Sequence, residues 1–413
     1  MTNLQKKLVT GIATGALLLN VLAPLAFADT TIQISGNGSD SNSTANVVAG
    51  QTTNVVQNNS ANVNNNVNST SNSGDNSAKD NTGGNVNITT GNASSNTSVA
   101  NTLNSNTANV SCNCNTGNTD VVVSGNGSDS SNNANVELGN STNLYQTNNA
   151  NVNNNVNTTS NTGDNNAKDN TGGNVTIYSG DATSNTSVST TANANFANVG
   201  GGSGAAGDLS VKIVGNGSDS SNAINLGAED ATVLTQQNNA NVNNNVNSKA
   251  KSGNNDANDN TGGDVSIDSG NASSNVSVDN AVNFNWADLN CGCLLGGNVL
   301  AKVAGNGNDS SNNLNATLGS AQEAFQNNAD GTNNSVNSKA DSGNSEAKDN
   351  TGAVGGSDPS INTGDTWGGS NISNSGNSNV LNPAGDITLP NFDFNVDFSL
   401  TWAQLMAFFS SHS

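Results

Sequence analysis

The sequence predicts an all-β chain wound as a right- or left-handed β-solenoid. Three observations carry this: a tandem repeat of about 90 residues, short period-two runs of β-branched residues ending at glycines, and a proline-free span from Asp29 to Asp358. The pentad Gly36 to Asp40 returns at Gly125 to Asp129, at Gly215 to Asp219 and, with Asn308 replacing the serine, at Gly305 to Asp309. Asp-Asn-Thr-Gly returns in the same register from Asp80, Asp169, Asp259 and Asp349. Four copies exceed the three that a stacked architecture usually needs.

The first element is a leader. Lys6 and Lys7 precede a mostly apolar run from Leu8 to Leu25, closed by Ala26-Phe27-Ala28, which is the charge, apolar and small-x-small order of a secretory signal peptide over 1–28. Cleavage after Ala28 would leave a chain without another apolar stretch of helix-spanning length, so no transmembrane helix is expected in the mature protein.

The repeats follow as 29–118, 119–208, 209–298 and a partial fourth copy, 299–353. Within them Ile32-x-Ile34, Val86-x-Ile88, Val121-x-Val123, Val175-x-Ile177, Val211-x-Ile213 and Val265-x-Ile267 alternate as strands do. Gly and Asn between the runs mark turns, because both tolerate positive φ. Read as separate rungs of roughly 22 residues, these runs wind each copy about four times, giving roughly sixteen rungs and a rod of ~75 Å at ~4.8 Å per rung. The chain's 90 asparagines then have a structural role, since identical amides in register bond to one another along the stack.

A Gly/Ser/Asn-rich stretch, 354–386, reads as a linker. The last segment, 387–413, alternates Phe392, Phe394, Val396, Phe398, Leu400 and Trp402, an apolar strand suited to capping the last rung, to self-association by strand addition, or to attachment to the cell envelope.

Part of the repeat resembles a known family. Asn72-x-Gly74-x-Asn76-x-Ala78 recurs as Asn161-x-Gly163-x-Asn165-x-Ala167, Lys251-x-Gly253-x-Asn255-x-Ala257 and Asp341-x-Gly343-x-Ser345-x-Ala347. This resembles the curlin repeat of bacterial extracellular fibres, with the leading glutamine replaced and the glycine-to-asparagine gap one residue shorter. The resemblance covers about seven residues per copy and implies a secreted, stacking surface-fibre role.

Few residues offer chemistry. The Gly-Asn-Gly-Ser-Asp pentad is similar to the Gly-x-Gly-x-Asp core of calcium-binding repeats in secreted toxins, but it stands alone and its leading glycine is replaced by Ser35, Ser124, Val214 and Ala304, so a tight turn carrying a solvated aspartate is the first reading; if calcium binds, Asp40, Asp129, Asp219 and Asp309 are the candidate ligands. Cys112, Cys114, Cys291 and Cys293, as two Cys-x-Cys pairs in an exported chain, are candidate local or intermolecular disulfides. Lys79-Asp80, Lys168-Asp169 and Lys348-Asp349 read as surface ion pairs.

Function follows by exclusion. The ten basic residues are all lysine, and the net charge of −21 repels a polyanion, so no nucleic acid is expected as partner. The single histidine, His412, leaves acid–base catalysis largely to carboxylates, and the scarcity of aromatics leaves few rings for stacking on sugars. The expectation is a secreted, extracellular or cell-surface structural protein: a fibre, an adhesin or a surface-layer-like component, without cofactor apart from calcium. The alternatives are a polysaccharide-active β-helix enzyme using paired aspartates and a disordered hydrated spacer.

Overall fold

A computed structural model describes residues 20–22, 29–111, 117–200, 207–290 and 298–381. The described residues form strands and turns, with no helix among them and therefore none long and apolar enough to cross a membrane.

A short strand β1 (Asn20–Leu22) precedes the first copy. Copy one then forms β2 (Thr30–Ser35), β3 (Asn42–Asn72), β4 (Ser77–Lys79), β5 (Val86–Thr89) and β6 (Ala93–Val110). Copy two repeats them as β7 (Thr119–Ser124), β8 (Ser131–Asn161), β9 (Asn166–Lys168), β10 (Val175–Tyr178) and β11 (Ala182–Gly200). Copy three gives β12 (Leu209–Val214), β13 (Ser221–Lys251), β14 (Val265–Asp268) and β15 (Ala272–Asn290). Copy four gives β16 (Val299–Ala304), β17 (Ser311–Asp341), β18 (Ser360–Asn362) and β19 (Thr366–Leu381).

Strands pair in parallel with their equivalents one copy away, in the sheet orders β16-β12-β7-β2, β17-β13-β8-β3, β18-β14-β10-β5 and β1-β6-β11-β15-β19. Asn42 meets Ser131, and Ser131 meets Ser221, which meets Ser311. One copy is therefore one coil. This corrects the expected rung of roughly 22 residues: the short alternations are different sides of a single wide coil. The stack is four coils deep, and the sixteen-rung rod of ~75 Å does not form. The largest dimension lies along the strands instead, because 31 residues in β8 extend ~100 Å at ~3.3 Å each, while four coils stack within ~20 Å.

The expected linker is also corrected. Ile361 pairs with Ile267, and the run Thr366 to Leu381 pairs with Ala272 to Ala287, so 360–381 complete the fourth coil. Four extra residues between Thr351 and Ser360 displace the register, and composition alone hid the match. Of the expected leader, only Asn20–Leu22 is described, paired in parallel with Ala108 to Val110 at the open edge of β6. The apolar segment 387–413 lies outside the described residues.

Each coil is flattened into two facing layers. The inward side of β8 packs Ala134, Val136 and Leu138 on Val121 and Val123 of β7, then Leu144 on Ala197 and Val199 of β11, then Val156 on Val188. The corner after β8 has its own small core of Ala167, Val175 and Ile177. These apolar patches are separated by buried amides and hydroxyls, Asn148, Asn154 and Gln146 among them.

Close approach between coils fixes one glycine column. A Cβ at Gly163 would collide with the carbonyl oxygen of Gly253, and one at Gly253 with that of Gly343. Gly163→Ala is expected to lower stability by ~1–3 kcal/mol, read as a reduced urea midpoint. Gly319→Ala, where a Cβ meets nothing within 4 Å, should leave the midpoint unchanged.

Candidate functional site

The most extensive constellation is a set of amide columns running through the coils. A strand face needs only that its inward groups be apolar or satisfied, and an amide is satisfied by the identical amide above it. Asn65 Nδ2 donates to Asn154 Oδ1, Asn154 to Asn244 and Asn244 to Asn334, each at 2.7 Å. Gln326 donates to Gln236 at 2.7 Å, Gln236 to Gln146 at 2.8 Å and Gln146 to Gln57 at 2.7 Å, in the opposite sense.

Other columns link the two layers. Asn148 Nδ2 donates to Asn195 Oδ1 across the core at 2.9 Å and to Asn238 Oδ1 along the stack at 3.0 Å. Its Oδ1 accepts from Asn59 and Asn106. A column that sequence reading missed is Asn104, Asn193, Asn283 and Asn377, each at positive φ within an otherwise extended strand. Asn193 Nδ2 reaches the Asn239 carbonyl of the facing strand at 2.8 Å and Asn283 Oδ1 at 3.0 Å. Its only sequence signal is an asparagine recurring at the same place in every copy.

The aspartates of the Gly-Asn-Gly pentad sit on exposed turns. Asp40, Asp129, Asp219 and Asp309 have φ between 56° and 59°, a region that Asp tolerates. The Asp40, Asp129 and Asp219 N–H groups donate to Ser128, Ser218 and Asn308 carbonyls of the following coil. The four form a column with one carboxylate per coil. Among the described residues, no group of three His, Cys, Asp or Glu side chains converges to hold a metal. Cys112, Cys114, Cys291 and Cys293 lie outside the described residues.

Lysines pair between coils: Lys168 Nζ lies 3.5 Å from Asp259 Oδ2, both about two-fifths exposed. A pair of this kind contributes ~0–1 kcal/mol.

One shallow cleft gathers carboxylates. Asp164, Asn166, Asn254, Asp256 and Asn344 line about 440 Å³ at the corner after the long strands, and Lys251 Nζ pairs with Asp164 Oδ1. Burial, then the carboxylates of Glu346 and Asp164, push the Asp256 carboxyl above its ordinary range, against a lowering by Lys251. Asp230, on β13, is raised by burial alone.

No protein-family model matches this chain, and neither a curated protein nor a solved structure is found to be similar to it.

Two measurements probe these sites. Asn148→Leu keeps the volume but strips partners from buried amides on two layers, and should cost ~1–3 kcal/mol for each one left unpaired, read as a lower urea midpoint. For Asp256 the raised carboxyl means that the folded state binds its proton more readily than the unfolded chain. Its contribution is thus most favourable at acid pH and is lost as pH rises from the ordinary carboxylate value through the raised one. Asp256→Asn, which installs the residue copy two carries at Asn166, should melt higher than the parent near neutral pH, the difference closing well below the ordinary carboxylate pKa.

Proposed function

We propose that this protein is a secreted, non-enzymatic structural component of a cell surface, a fibre, adhesin or surface-layer-like element whose work is to hold an extended, hydrated β scaffold in place. The observation that carries this reading is the commitment of the interior polar groups to one another. Asn65, Asn154, Asn244 and Asn334 spend their amides on the stack, as do Gln57, Gln146, Gln236 and Gln326. A catalytic site needs unlike groups brought together on one substrate, and here like groups meet their own copies. The leader-like order of 1–28 supports export, and the curlin-like motif, which recurs once per coil, supports the fibre variant. Calcium held at Asp40, Asp129, Asp219 and Asp309 would, in this reading, neutralise a column of like charges.

The cleft of Asp164 and Asp256 favours one second reading, hydrolysis of a polysaccharide by paired carboxylates, because Asp256 is raised chiefly by burial while the neighbouring Asp164 is ion-paired with Lys251.

Surface labelling of intact producing cells with a membrane-impermeant amine reagent, followed by fractionation, separates these possibilities from an internal role. The expected outcome is labelled lysine in the surface or medium fraction, with no release of reducing sugar from surface polysaccharides. Protein confined to the cytoplasm would overturn the structural-surface reading, and sugar release lost in Asp256→Asn would replace it with the enzymatic one.

A further inference from the structure

The two ends of the stack are open, and they match. At the fourth-coil edge, inward positions are uncovered: Leu314 and Ile361 are 43% and 45% exposed, against 0% for their equivalents Ile224 and Ile267 one coil below. Ile372 and Leu318 are exposed in the same way. The polar columns end there too, each with a direction. Asn37 N–H donates to Asn126 Oδ1, Asn126 N–H to Asn216 Oδ1 and Asn216 N–H to Asn306 Oδ1, so this column ends on a donor at the fourth coil and an acceptor at the first. The column Asp29, Asn118, Asp208 and Asn298 runs oppositely, each N–H donating to the oxygen of the coil before. Only a first coil placed on a fourth coil gives every such end its complement.

Glycines at the two edges add an independent sign. Gly343 retains the glycine of its column although copy four has lost the motif's asparagines, and a Cβ there meets nothing within 4 Å in the single chain. The same holds for Gly91 on the first coil, whereas at Gly180 a Cβ would lie 2.7 Å from the Gly91 carbonyl oxygen. Neither Gly343 nor Gly91 has positive φ, so neither the backbone nor the space around them requires glycine until another coil is added.

We propose that a second copy of this chain is the occupant of these edges: its first coil seats on the fourth coil of the copy before, in the same register, and repetition gives a polar filament. The contact is heterologous and does not close, so it propagates. The first-coil edge already accepts a parallel strand, since β1 pairs with Ala108 to Val110. A preceding copy's Leu381 would meet Ala108, the place Asn20 takes, so β1 must leave before a copy can seat. The apolar segment 387–413 is the competing occupant of the fourth-coil edge. It is shorter than β17 alone, at 31 residues, and cannot cover the coil.

This proposal deepens the structural reading above, rests on it for its biological setting, and is tested separately on purified protein. The mature chain from Asp29 is examined by electron microscopy and light scattering beside Gly343→Ala, Gly91→Ala, the control Gly319→Ala and a chain lacking 387–413. Filaments rising by ~19 Å per copy are expected for the mature chain and for Gly319→Ala. Gly343→Ala and Gly91→Ala should keep the circular dichroism spectrum and urea midpoint of unassembled parent protein while losing filaments, with at least a tenfold fall in assembled mass. Filaments undiminished in both variants overturn the proposal. So does a mature chain that stays monomeric at high concentration, and assembly appearing only after removal of 387–413 would assign the fourth-coil edge to that segment. A monomer found at the cell surface would sink the stacking alone, whereas filaments formed by a protein found only in the cytoplasm would sink the surface role alone.

Discussion

Residues one copy apart meet along the stacking axis, and that single register holds the rest in place. It brings backbone N–H and C=O groups into parallel ladders, sets valine on valine, and sets amide on amide. Each amide–amide hydrogen bond contributes only ~0.5–1.5 kcal/mol net, but a buried amide that loses its partner costs ~1–3 kcal/mol, so a column penalises every slip along its length. A strand slipped by one residue would also turn its inward set outward. The 31-residue strands are thus specified far more strongly than their sparse Val, Ile and Leu would allow.

The sequence carried much of this arrangement, though not its scale. The repeat, the parallel strands, the ladder role of asparagine and the Asp-bearing turns were all legible from periodicity and turn chemistry. The width of the coil was not, because long stretches of the inward face are amide and hydroxyl rather than apolar. In Ala61 to Asn68 the inward positions include Asn65, which bonds to Asn101 and Asn154. A paired amide can occupy such a place as well as valine can, so the long strand reads from composition as loop. The stretch 354–386 has a linker's composition for the same reason, although Asn374, Asn377 and Asn379 continue the columns of Asn280, Asn283 and Asn285. The cleft of Asp164 and Asp256 was beyond reach for another reason: it depends on residues of different copies whose side chains differ, and equivalence between copies was the only long-range guide.

Acidity is distributed with the same regularity. The coil turns present Asp40, Asp129, Asp219 and Asp309 to solvent at successive levels, where water and salt weaken the repulsion between neighbours to ~1 kcal/mol or less. Lysines appear where they can reach the adjacent level, as Lys168 does toward Asp259. A surface of this kind keeps the faces of the slab hydrated and mutually repelling, leaving the coil edges as the surfaces on which polar and apolar groups remain incompletely matched.

The places where the copies differ in length bear on how such a chain can change through descent. Copy one is a residue shorter than copy two between Val110 and Thr119, and copy four is longer between Thr351 and Ser360, both outside the long strands. Insertion within β8 or its equivalents would break dozens of pairings at once, while loss or gain of a whole copy leaves each surviving coil with a neighbour of the same kind. Heritable variation in this architecture is therefore quantised: corners absorb single residues, and the body of the protein grows or shrinks by gene segments encoding an entire turn.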